Sequence, residues 1–136
     1  MPSPAYRRPY LLSTQRRLHV NARSAHRVLV GSTLLAAFFE LVSTPFMDQP
    51  LGSLAAGLVF LAACAWLWRG RGIVAPVLLG LLFAVELAGE PAYARHGLKD
   101  WVLQTAIGVL SLAGLSAAIV IVRERLRARR STEALA

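Results

Sequence analysis

The sequence predicts an all-α, polytopic membrane protein with four transmembrane helices, and three observations carry that prediction. Counting glycine and leaving out tyrosine, roughly 60% of the 136 residues are apolar, against about 45–50% in soluble domains. Mean hydropathy is +0.53 although the formal charge is +8, so apolar and basic residues must occupy different parts of the chain. They do: apolar stretches at about 28–47, 51–68, 73–89 and 101–122 alternate with polar segments. At 1.5 Å per residue, stretches of roughly 17–22 residues reach about 25–33 Å, the thickness of a hydrocarbon core. Backbone in lipid must satisfy its own hydrogen bonds, so each stretch reads as a helix.

Residues 1–26 are polar and Arg-rich and form a basic N-terminal segment. The apolar stretch behind them is too long for a secretory h-region and ends in no small-residue cleavage pattern, so it is expected to stay as an anchor. Two readings of the segment remain open. Tyr10 to Arg27, with Leu11, Leu12, Leu18 and Val20, reads as an interfacial amphipathic helix on anionic lipid, or the segment is a disordered tail that only sets topology. Residues 27–122 are the four-helix transmembrane domain, and 123–136 a second basic tail.

Arg and Lys in short loops resist translocation and set orientation. Thirteen arginines fall before the first helix, between the second and third, and after the fourth, leaving Arg95 and Lys99 on the other side. Both termini are therefore expected in the cytoplasm, with anionic lipid of the inner leaflet as the partner of the Arg-rich ends. Nucleic acid is not expected, because no folded basic domain aims the charges. Trp66, Trp68 and Trp101 fall at the expected interfaces, where amphipathic rings belong. One Lys against fourteen Arg fits a high-GC bacterial source, hence an inner plasma membrane.

Sliding the chain by 46 residues sets Glu40-Leu41 and Pro45 on Glu86-Leu87 and Pro91, and an offset of 54 sets Arg69-Gly70-Arg71 on Arg123-Glu124-Arg125. The chain reads either as a duplicated helical hairpin, a parallel repeat about an axis along the membrane normal, or as chance matches in apolar sequence. Small residues recur at four-residue spacing: Gly52 with Ala56 and Ser53 with Gly57 on the second helix, Gly80, Ala84 and Ala88 on the third, Gly114 with Ala118 on the fourth. Such stripes let helix backbones approach closely.

Glu40 and Glu86 are the candidate site, for proton or cationic ligand. Each lies 13 positions along an outward-running helix, about 20 Å from the inner edge. A carboxyl at that depth is costly and normally faces the bundle or a cavity. Two such groups on touching helices would share one proton, because close anions in a low dielectric repel. The alternative is structural, each Glu being protonated, bonded to Ser43, Thr44, Gln104 or Thr105, or reaching the interface. Glu90 and Arg95 are further possible partners, although Glu90 precedes Pro91 and is disfavoured in helical geometry. Cys64 stands alone, and His19, His26 and His96 have no ligand spacing, so neither a metal site nor a cofactor is expected.

Glu40 about two thirds along the first of four short helices, with Thr44 four and Met47 seven residues later, resembles the small multidrug resistance exporters. That resemblance covers about one helix and implies Glu40 as the residue that binds proton and cationic drug in turn. The basic extension, the one-way charge bias and the second acid at Glu86 depart from that pattern. Size and helix count also resemble the DoxX-like bacterial membrane proteins. With no nucleophile and base, no phosphate loop and no haem-binding His pair within the bilayer, the chain is not expected to be an enzyme. The leading expectation is a non-catalytic accessory or self-associating subunit of a membrane complex. The alternative is a proton-coupled small-molecule transporter using Glu40 and Glu86.

Overall fold

The computed structural model describes residues 8–44, 50–70, 72–89 and 97–133, with side chains left out for 8–21, 50, 99 and 100. Four helices follow in order: α1 (Arg8–Ser43), α2 (Pro50–Arg69), α3 (Val74–Gly89) and α4 (Leu98–Glu133). No strand occurs among the described residues.

Prolines set most of the ends. Pro9 sits in the first turn of α1, where its missing N–H is no loss. The residue before a proline is disfavoured in α geometry, and ahead of Pro45 α1 is α-helical to Ser43, with Thr44 in 3₁₀ geometry; the expected end near residue 47 lies outside the described residues. Pro50 opens α2, and Pro76 lies in the first turn of α3, both places that tolerate proline. α3 closes at Gly89, just before Glu90-Pro91.

At the basic ends the helices run on beyond the apolar stretches. α1 is unbroken from Arg8, so the basic N-terminal segment is helical from Arg8 on, and α4 continues past 122 to Glu133. No proline or glycine interrupts 10–30 or 115–133, and the Arg, Leu, Gln and Ala found there are good helix formers. Hydrophobic length locates a membrane span, whereas backbone propensity decides where a helix stops.

Among the described residues, three segments are long and apolar enough to cross a membrane: Ala22–Ser43, Leu51–Arg69 and Trp101–Glu133. α3, with 16 residues, is the shorter apolar helix, about 24 Å long. Leu35, Phe38, Leu58, Trp68, Leu81, Val85, Val109 and Leu112 are all exposed, the arrangement expected where lipid rather than water surrounds the bundle.

Contact runs round a ring, α1 on α2, α2 on α3, α3 on α4 and α4 back on α1, which sets α1 and α3 on one diagonal. The α1–α4 seam is extensive and the α2–α3 seam slight. Both hairpins are antiparallel. Ser43 and Ser53 hydroxyl oxygens lie 3.3 Å apart across α1 and α2. On α3 and α4, Phe83 covers Gly114, Gly80 faces Ala118, and Arg125 donates to the carbonyl of Gly72. That last bond ties the C-terminal extension of α4 to the α2–α3 turn. Since α1 runs antiparallel to α2, Arg23, Arg27, Arg69, Arg123 and Arg125 gather at one end of the bundle. The core between these helices is built from Leu29, Ala36, Ala37, Phe60, Ala63, Leu67, Leu79, Phe83, Ala117, Ala118 and Ile121.

Candidate functional site

Near the end of α1, side chains of two helices converge on one residue. Around the carbonyl of Glu40 three hydroxyls gather: Ser43 Oγ donates at 3.1 Å, Thr44 Oγ1 at 2.9 Å and Ser53 Oγ at 2.7 Å. Ser53 comes from the first turn of α2, where the antiparallel hairpin brings it level with Glu40. Its hydroxyl also lies 2.6 Å from Glu40 Oε2. Ser53 is 9% exposed, so this polar knot is largely removed from the lipid.

One turn deeper lies a partly open cavity of about 10 Å³ lined by Ala36 and Glu40 of α1, Phe60 of α2, Glu86 of α3, and Ile107, Leu110 and Ser111 of α4. Glu40 and Glu86 thus reach one space from opposite corners of the ring. The register defined by Phe83 over Gly114 and Gly80 over Ala118 brings Glu86 level with Ser111, whose side chain is 1% exposed. The Phe60 ring that lines it packs on Phe83, the two rings fully buried, 5.2 Å apart and inclined at 44°. A volume of this size is at the lower limit for one water molecule. It suits a proton, a water or nothing, and is far below the roughly 300–1,000 Å³ of a site for a drug-sized ligand.

Of the residues singled out in the sequence, Glu40 and Glu86 both line this cavity. Thr44 and Ser43 bond the backbone carbonyl of Glu40 and not its carboxyl. Thr105 donates to the carbonyl of Trp101 in its own helix. Gln104 is half-buried on α4, one turn from Ile107. Glu90, Arg95 and Met47 lie outside the described residues. Sequence reasoning missed Ser53 and Ser111 as polar neighbours of the acids, reading Ser53 only as a small packing residue. The signal for Ser53 was present: in a hairpin joined by a short connection, Glu40 and Ser53 are equidistant from its midpoint.

Several of the small residues on the stripes serve contacts inside the bundle. A Cβ at Gly57 would stand 2.9 Å from Leu41 Cγ and 3.3 Å from the Ala37 carbonyl oxygen, one at Gly80 would stand 3.3 Å from Ala118 Cβ, and one at Gly114 would overlap the Phe83 ring. Gly52 meets nothing within 4 Å.

Set against known protein families, curated proteins and solved structures, the chain matches none of them. The likeness of Glu40, Thr44 and Met47 to the small multidrug resistance exporters is therefore a likeness of one segment.

Proposed function

We propose that this chain is a small integral membrane protein of a bacterial inner membrane that works through a protonatable pair, Glu40 and Glu86. The observation that carries the reading is that Glu40 and Glu86, from two diagonal helices, line a single water-sized cavity, and two acids on one space away from water repel as anions. Both termini lie in the cytoplasm in this reading, where the gathered arginines contact anionic lipid headgroups.

The cavity's smallness favours a second reading of what the pair serves. With the cavity between Glu40 and Glu86 no larger than about one water, the chain acts as a non-catalytic accessory or self-associating subunit of a larger membrane complex, its exposed apolar faces meeting partner helices. A proton-coupled transporter would need a second, more open state.

Purified protein in liposomes with an imposed pH gradient separates the two. Proton flux in the native protein that falls to the level of empty liposomes in Glu40→Gln and Glu86→Gln supports transport. Flux indistinguishable from empty liposomes, together with a stoichiometric partner recovered in native nanodiscs, supports the accessory role. Unchanged flux in both variants would overturn any role for the pair.

A further inference from the structure

On α4 the exposed residues keep a register that runs on past the apolar stretch. Within that stretch Val102, Thr105, Val109, Leu112, Ser116 and Ile119 are exposed, spaced alternately three and four residues apart. The outer half of this face is an open apolar groove lined by Trp101, Val102, Thr105, Ala106, Val109 and Leu110. The same spacing continues through Arg123, Leu126, Arg130 and Glu133, which are exposed as well. This is the 3.5-residue repeat by which one helix lies along another. In that repeat Arg123 and Arg130 take the seam, and Arg127 and Arg129 the flanking places that pair with a partner's charges. Arg125, off the seam, turns back to the Gly72 carbonyl.

Acyl chains suit the apolar half of the face and offer nothing to the basic half. The headgroup layer is only about 5–8 Å deep, and Arg130 stands about 10 Å further along the helix than Arg123. The like-charge pairs Arg123 with Arg127 and Arg125 with Arg129, at four-residue spacing, weaken the extension until an anion answers them. A second copy inserted the same way would set Arg123 on Arg123 and Arg130 on Arg130, which repel. We propose that this face of α4 docks a membrane-spanning helix of another protein, one whose apolar span is followed, at the basic end of the bundle, by acidic residues seven positions apart. This rests on the accessory-subunit reading.

The test places full-length protein, labelled at its C-terminus, in phosphatidylcholine vesicles and follows energy transfer from a synthetic peptide. The peptide has a Leu-Ala span of about 20 residues followed by two glutamates seven positions apart; a second peptide has lysines instead. The acidic peptide associates about tenfold more tightly, because opposite charges attract where like charges repel. Arg123→Glu combined with Arg130→Glu reverses the order. Ser131→Glu combined with Thr132→Glu, acids on the same extension but off the seam, leaves it as it is. Equal association of the two peptides, or reversal by the off-seam pair too, overturns the proposal. So does a preference that anionic phosphatidylglycerol abolishes, since headgroups then answer the arginines, or an equally tight soluble peptide with the glutamates and no span. Energy transfer between two labelled populations of this chain that Leu112→Trp abolishes would put a second copy on the face, and is equally fatal. A stoichiometric partner recovered in native nanodiscs by native protein and by the Arg123→Glu, Arg130→Glu protein alike overturns the α4 face alone. Recovery of no partner by native protein overturns the accessory reading with it.

Discussion

The two hairpins share the pattern Glu-Leu-x-x-x-Pro and are held together differently. In the first, α1 meets α2 through hydroxyls clustered on the Glu40 carbonyl and carboxyl, with Gly57 admitting Leu41 beside them. In the second, α3 meets α4 through the apolar fit of Phe83 into the notch at Gly114, and of Gly80 against Ala118. The seams between the hairpins are unequal too, since α1 and α4 are each 36 residues long while α2 has 20 and α3 has 16. A sequence echo therefore sets two acids at equivalent positions, each three residues from the end of its helix, in hairpins that are packed differently. Any functional division between Glu40 and Glu86 starts from that difference.

The largest expected effect breaks the apolar hairpin. Phe83→Ala empties the space between Phe60 and Gly114, at a cost of roughly 2–3 kcal/mol, below the usual Phe→Ala range because lipid already solvates apolar surface in the separated helices. Unfolding in mixed micelles with increasing denaturing detergent measures it, and an unchanged midpoint would mean that the ring is not what joins α3 to α4. Next comes Gly114→Ala, which overpacks the same contact at about 1–3 kcal/mol. A combined Phe83→Leu and Gly114→Ala variant should recover part of the loss, since the two residues share one space.

Smaller effects sharpen the contrast. Arg125→Ala removes the tie between α4 and the α2–α3 turn and should cost about 1 kcal/mol, seen as faster proteolysis of the α4 extension with the membrane core intact. Least of all, Thr44→Ala should cost under about 1 kcal/mol, because Ser43 and Ser53 still serve the Glu40 carbonyl. A loss as large as that of Phe83→Ala would show that the polar hairpin depends on each hydroxyl separately.

Particular residues show how far the sequence was legible. The four helices were readable because apolar runs of bilayer length admit no other backbone. Glu40 and Glu86 stood out because charge in such runs is expensive. A helix through the basic N-terminal segment was one of two open readings, and α1 does run back to Arg8, whereas the continuation of α4 through Arg123–Glu133 was hidden because hydropathy has nothing to say about polar helix. Ser53 passed as a packing residue, since a hydroxyl in an apolar run has no meaning until its opposite number is known.

Sequence alone determined the all-helical class, the number of helices, their bilayer-length apolar runs and the clustering of arginine. These follow from local rules: rise per residue, the cost of unpaired backbone in lipid, and the segregation of charge. Which residues meet was decided by tertiary structure. Helix rotation and hairpin register set Ser53 against Glu40, Phe83 against Gly114, and both acids on one cavity. They depend on how side chains of unequal volume fit across helices far apart in the chain, and no local rule contains that information.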